Sequence, residues 1–417
     1  MLLPPTRSSD APLLLATRGL RAFADGFISL VLPFYLTVLG FDAFQVGLVA
    51  TVTLLGSGSL TLVAGIYAWR FRTSSLLQVA AASMVLAGVA FVALSDFWPL
   101  LLVALFGPLN PTSGDVSVFS PLEHSLLAHA VDDSHRTAWF ARYNLVGSLM
   151  GALGALAAGM PSLLSGALNL SSKGALQAMF VLYALIGVAV CFAYRRLAGA
   201  KDRTAEQKAA PLGASRPIVL RLAGVFALDA FGGGFVVQSL LALWLHQRFG
   251  LSEAGAGLLF FTTGVLGALS FLAAAPLARR IGLINTMVYT HLPSNLLLAL
   301  APFMPDLASA LGCLLVRSLL ASMDIPTRTS YVMAVVSPGE RAAAAAMTAV
   351  PRSFASGLSP MLAGYLLGLS TFGWPLIAAG ALKTVYDLLL LAMFSQIRPP
   401  EERARSSGHA KSQDDPG

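Results

Sequence analysis

LLATRGLRAFADGFISLVLPFYLTVL, residues 14–39, is the stretch on which the fold turns. As a helix rising about 1.5 Å per residue it is long enough to cross a hydrocarbon core of ~30 Å. It also carries Arg18, Arg21 and Asp25 inside an otherwise apolar run. At about 100° per residue these three fall within an arc of about 60°, so they share one face. Ionisable side chains are costly in lipid, and those that persist there mark function by default.

Eleven further apolar runs follow, at 45–69, 75–95, 98–127, 138–160, 175–194, 217–245, 253–277, 282–303, 306–335, 341–369 and 373–396. The chain is 56% hydrophobic and 11% charged, with a mean hydropathy of +0.74. A soluble domain leaves too much surface wet to hide that composition. The runs are continuous rather than alternating and too long for barrel strands. The expected fold class is an all-α membrane protein with about twelve transmembrane helices. Pro111, Pro121 and Pro326 predict kinks in the fourth and tenth spans. The first twelve residues hold one Arg and no cleavable signal pattern, so the first run reads as a retained helix.

The net charge of +7 has a topological meaning here. Arg70, Arg72, Arg136, Arg195, Arg196, Lys201, Arg203, Lys208, Arg216, Arg279, Arg280, Arg341 and the C-terminal arginines lie in alternate loops. The opposite loops hold little beyond Lys173 and Arg248. By the positive-inside rule both termini and the central loop are cytoplasmic. The domain reading is a tail at 1–12, a six-helix bundle at 13–194, a linker at 195–216, a second six-helix bundle at 217–396 and a disordered tail at 397–417. Cys191 and Cys313 read as packing residues, and the six histidines offer no metal-ligand pair. No metal, cofactor or nucleic acid is expected.

The two halves look related. An offset of 210 places Gly40 on Gly250, Gly47 on Gly257 and Arg70 on Arg280. An offset of 205 places Pro121 on Pro326, Arg136 on Arg341 and Gly159 on Gly364. A parallel six-plus-six repeat is a transporter architecture, with the substrate site near the midplane.

Gly65-Ile-Tyr-Ala-Trp69-Arg70-Phe-Arg72 and its second copy, Ala275-Pro-Leu-Ala-Arg279-Arg280-Ile-Gly282, occupy the place of the pattern G-x-x-x-D-R-x-G-R-(R/K). With them the chain resembles the major facilitator superfamily over nearly its whole length. Trp69 and Arg279 stand where that family has Asp, so its usual cytoplasmic latch is altered; Gly65, Arg70, Arg280 and Gly282 remain as gate-loop residues. In the fifth span, Gly147-Ser-Leu-Met-Gly151-Ala152-Leu-Gly154-Ala155 is similar to the family's antiporter motif, with Ala152 in place of Pro. That resemblance implies export. Small residues four apart also simply let helices pack closely.

The family lines its central cavity with the first, fourth, seventh and tenth helices, and all four carry a carboxylate here. These are Asp25, Asp115 (with Glu123 nearer the cytoplasm), Asp229 and Asp324. Arg317, Asp324 and Arg328 fall within an arc of about 40° on one helix. Asp25, Asp115 and Asp324 are the expected proton carriers. Arg317, Arg328 and Arg352 are the expected counter-ions or contacts for anionic substrate groups. Arg21–Asp25 and Lys383–Asp387 also read as static bridges. Asp132, Asp133 and Glu340 read as solvated loop charges.

The leading function is a secondary active transporter working by alternating access, with proton-coupled export of small organic molecules. The alternative is a proton-coupled importer of an organic anion or nutrient. The partners are then a small-molecule substrate, protons and the lipid bilayer, with a monomeric protein in a bacterial inner membrane. An enzyme is disfavoured: no nucleophile elbow, H-E-x-x-H or phosphate loop occurs. A non-transporting sensor would tolerate loss of the intramembrane carboxylates.

Overall fold

The computed structural model describes residues 10–67, 70–112, 118–131, 133–197, 213, 215–337 and 340–397. Asp115, Trp69, Asp132, linker residues Lys201, Arg203 and Lys208, and residues 1–9 and 398–417 lie outside the described residues. Sixteen helices run in order among them. These are α1 (Asp10–Val38), α2 (Ala43–Tyr67), α3 (Thr73–Ala93), α4 (Phe97–Phe106), α5 (Phe119–Ala130), α6 (Asp133–Ala157), α7 (Met160–Leu168) and α8 (Ser172–Arg195). Then come α9 (Arg216–Gly234), α10 (Gln238–Phe249), α11 (Glu253–Ile281), α12 (Leu283–Leu300), α13 (Leu307–Ala321), α14 (Asp324–Val335), α15 (Arg341–Leu369) and α16 (Trp374–Phe394). No strand occurs among the described residues.

Nine helical stretches among the described residues are long and apolar enough to cross a membrane. α12 is not among them, because Asn285, Thr286, Thr290, His291, Ser294 and Asn295 dilute its leucines. The fourth expected span divides into α4 and α5, and the tenth into α13 and α14. Pro121 and Pro326 each fall in the first turn of the second piece, where a missing N–H costs nothing. The seventh span, read from sequence as continuous, also divides: α9 ends on Gly232-Gly233-Gly234, and α10 begins at Gln238.

Helix ends 210 residues apart are alike. Gly40 (φ 90°) and Gly250 (φ 68°) both take the left-handed conformation, which glycine adopts without steric penalty. Two residues on, Asp42 and Ser252 cap the next helix: Gln45 N donates to Asp42 Oδ1 at 2.8 Å, and Gly255 N to Ser252 Oγ at 3.2 Å. Asp96 and Asp306, again 210 apart, both stand at N-caps.

The chain divides into two compact units. The first holds the described residues of 1–205 with 234–265 and 356–375. The second holds 206–233, 266–355 and 376–417, again as far as described. Inside the first unit α1 and α6 nearly touch. A methyl on Gly26 would lie 2.1 Å from the Gly151 carbonyl oxygen, and one on Gly154 would lie 2.0 Å from that of Phe23. Lipid gives helices no hydrophobic drive to associate, so such close backbone approach supplies much of the cohesion. Two twin contacts of the same unit repeat the pattern: Gly47 meets the Pro360 carbonyl, and Gly257 meets that of Ala155. Phe27, Tyr35 and Trp244 are fully buried in this unit.

The second unit has its own apolar core, built on Val219, Leu222 and Phe226 of α9, Met287 and Val288 of α12, Tyr331 of α14, and Tyr386 and Leu390 of α16. At one end Glu340 corrects the sequence expectation of a solvated charge. It is largely buried and accepts from Ser215 Oγ at 2.6 Å, Ser337 Oγ at 2.7 Å and the Gly213 N–H.

Candidate transport sites in the two units

In the first unit, the buried charge is organised around Glu123 of α5. Its side chain is fully buried. It accepts from Arg21 Nη2, from Tyr143 Oη, from Thr17 Oγ1 at 2.9 Å and from Tyr194 Oη at 2.5 Å. Donors from α1, α6 and α8 thus converge on one carboxylate, which is the way a charge becomes tolerable in low dielectric. The Arg21 guanidinium also lies 4.3 Å from the Phe119 ring centroid, a cation–π contact. Arg21, expected to serve Asp25 one turn away, therefore bridges to another helix. Asp25 is half-buried, and Asp25 and Arg21 both act electrostatically on Tyr183.

Arg18 does not snorkel to a surface. It is buried, 5.3 Å from the Tyr143 ring, in room that Gly147 provides: a methyl there would lie 2.4 Å from the guanidinium. The three glycines of the antiporter-like stretch thus have separate structural tasks. Gly147 admits Arg18, Gly154 admits the α1 backbone, and Gly151 receives Gly26 against its carbonyl. Of the gate-loop residues, Gly65 lies within α2, Arg70 is exposed just after it, Arg280 is exposed in the last turn of α11, and Gly282 (φ 89°) leads into α12.

The second unit holds a longer network. Asp229 of α9 accepts from Lys383 Nζ at 2.6 Å on Oδ1 and from Arg328 Nη1 at 3.0 Å on Oδ2. The same Arg328 nitrogen lies 3.2 Å from Asp324 Oδ2, and Tyr386 Oη donates to Asp324 Oδ1 at 3.2 Å. On the other side, His291 Nδ1 lies 2.9 Å from Asp387 Oδ1, and Asn295 Nδ2 donates to Asp387 Oδ2 at 2.8 Å. His291 Nε2 faces Asp229 Oδ1 at 3.9 Å, beyond hydrogen-bond range. Lys383 already holds that oxygen.

Asp229 and Asp324, expected from sequence to line one cavity, both pair with Arg328. Lys383 and Asp387, expected to bridge along their own helix, instead serve Asp229 and His291 on other helices. Inside lipid a residue facing a neighbouring helix gains a partner that spacing along its own helix does not reveal. Sequence reasoning missed His291 and Asn295. Their signal was there: a His and an Asn at i, i+4, with threonines above, in a run that should be apolar. Arg317 on α13 and Arg352 on α15 reach the network electrostatically. Arg317 interacts with Asp229, and Arg352 with Arg328, Asp229 and Asp324.

Comparison with known proteins agrees with this architecture. An uncharacterized membrane protein of Saccharomyces cerevisiae, YJR124C, is 24% identical over 93% of this chain and 94% of its own. Among solved structures, the nucleoside transporter NupG superposes with a TM-score of 0.72 at 15% identity, over 93% of this chain and 99% of that one. A bacterial homologue of the human lysosomal transporter Spinster gives 0.72 at 16% identity, over 95% and 99%. At such identities the likeness is one of fold. The sequence pattern of the Major Facilitator Superfamily matches residues 14–323. The chain is a multi-pass integral membrane protein, a transporter rather than an enzyme, and it belongs to the Major Facilitator Superfamily.

Proposed function

We propose that this chain is a secondary active transporter for small organic molecules, working by alternating access and coupled to protons through the second-unit network. The observation that carries the reading is His291 standing between two carboxylates. Its Nδ1 engages Asp387 at 2.9 Å, while its Nε2 points at Asp229, which Lys383 occupies. Neutral imidazole can donate from one nitrogen only; imidazolium donates from both. Protonation of His291 therefore sets His291 against Lys383 in competition for one oxygen of Asp229. A network with two such arrangements is what coupling needs.

This reading moves the proton from the residues favoured by sequence to His291 and Asp387. Asp324 remains a partner of Arg328, and Glu123 with its four donors is a structural clasp. The exposed arginines Arg70 and Arg280 fit loops that face the cytoplasm, with both chain ends on that side. Export is supported by the antiporter-like stretch of α6. Import with protons is the second reading, favoured by the half-buried Arg317 and Arg352, which interact with Asp229.

The test uses proteoliposomes with an internal pH dye and a panel of lipophilic cations, organic anions and sugars. The wild type should move protons when one compound is added, outward-coupled for antiport and inward-coupled for symport. His291→Gln and Asp387→Asn should lose proton movement yet keep substrate exchange. Undiminished proton movement in both variants would refute the assignment.

A further inference from the structure

We propose that Arg317 and Arg352 of the second unit each contact an anionic group, a carboxylate or phosphate, of the transported molecule. The inference rests on the transporter reading and adds its substrate class.

Neither guanidinium makes a hydrogen bond or ion pair among the described residues, and the Nε of each is a buried donor with no acceptor. Arg21 also leaves its Nε unsatisfied, but its guanidinium is held by Glu123. No carboxylate of the network stands within ion-pair distance of Arg317 or Arg352 among the described residues. Every oxygen of its three carboxylates already accepts from another donor: Lys383 and Arg328 on Asp229, Tyr386 and Arg328 on Asp324, His291 and Asn295 on Asp387.

The charge balance points the same way. Among the described residues of the network, Arg317, Arg328, Arg352 and Lys383 are four cations against Asp229, Asp324 and Asp387, before any proton on His291. Arginine keeps its charge at any physiological pH, so it cannot relieve the imbalance as lysine or histidine can. An uncompensated cation in a low-dielectric interior is costly. An incoming anion removes that cost. A guanidinium offers a planar fork that matches carboxylate and phosphate geometry in a bidentate way. A cationic substrate would meet like charge on both arginines.

The experiment is ligand-induced thermal stabilisation of purified protein in uncharged maltoside micelles. The probes are succinate, citrate and phenyl phosphate, with glucose and tetraphenylphosphonium as comparators and phosphatidylglycerol as a separate arm. At least one anionic probe should stabilise the wild type. Arg317→Gln and Arg352→Gln should weaken that binding roughly ten- to hundredfold, the scale of a charge-assisted hydrogen bond. Arg317→Lys, which keeps the charge, should recover part of it and guards against a folding failure of the Gln variant. Binding is read at equilibrium in micelles with no pH gradient, so its outcome is independent of the proton movement read in proteoliposomes. Stabilisation by the cation instead, equal anion affinity in wild type and both Gln variants, or a response to phosphatidylglycerol alone would each overturn the proposal.

Discussion

Asp229 is the residue on which the second unit's charges depend, since Lys383 and Arg328 each hold one of its oxygens. Asp229→Asn would leave two buried cations facing a neutral amide. Breaking a buried pair by removing one partner costs about 3–5 kcal/mol. The variant should therefore melt well below the wild type in micelles, and Asp229→Asn combined with Lys383→Met should regain part of the loss. At this scale the sequence told much. A charged side chain in an apolar run announces itself, and Asp229, Asp324, Arg328, Arg21 and Glu123 were all legible that way. Their pairings were not. Spacing along one helix favoured Lys383–Asp387, whereas Lys383 reaches across to Asp229, and Arg21 also reaches Glu123 on another helix. His291 and Asn295 were passed over because a neutral polar residue in a helix has many uses.

Between elements, the contact of α1 with α6 makes a sharp contrast between two glycines. A methyl at Gly154 would sit 2.0 Å from the Phe23 carbonyl oxygen, whereas one at Gly151 would meet nothing nearer than 3.6 Å. Gly154→Ala should push the helices apart and lower stability by about 1–3 kcal/mol, the usual cost of overpacking. Gly151→Ala should be tolerated in the same thermal melts. If the stretch acted only as a sequence motif, the two would behave alike. The helices themselves were readable from runs of apolar residues, and so were the breaks near Pro121 and Pro326. The break after Gly232-Gly233-Gly234 was hidden, since glycines also occur in unbroken membrane helices. The close contacts of α1 with α6 were half legible: small residues mark a helix face that can pack, but not the partner.

Across the whole molecule, the caps at Asp42 and Ser252, 210 residues apart, match the offset read in the sequence. The chain is also tied to itself over long separations. Glu340 collects Ser215, Ser337 and the Gly213 N–H, and these donors hold its carboxyl down to about 2. As pH falls, the unfolded chain takes up its proton first, near 4.5. The stabilisation is therefore complete above about 4.5 and lost as pH falls towards about 2. The melting difference between wild type and Glu340→Gln should be flat from neutral pH to about 5, then narrow in acid. Another long tie bears on how the protein is made. His291 and Asn295 meet Asp387 at separations of 96 and 92 residues. During synthesis α12 therefore emerges as a poorly lipid-soluble segment well before its partner exists. The insertion machinery has to shelter it, in water or against earlier helices, until α16 is translated. A nascent chain stopped short of residue 387 would present this helix to membrane quality control as an orphan.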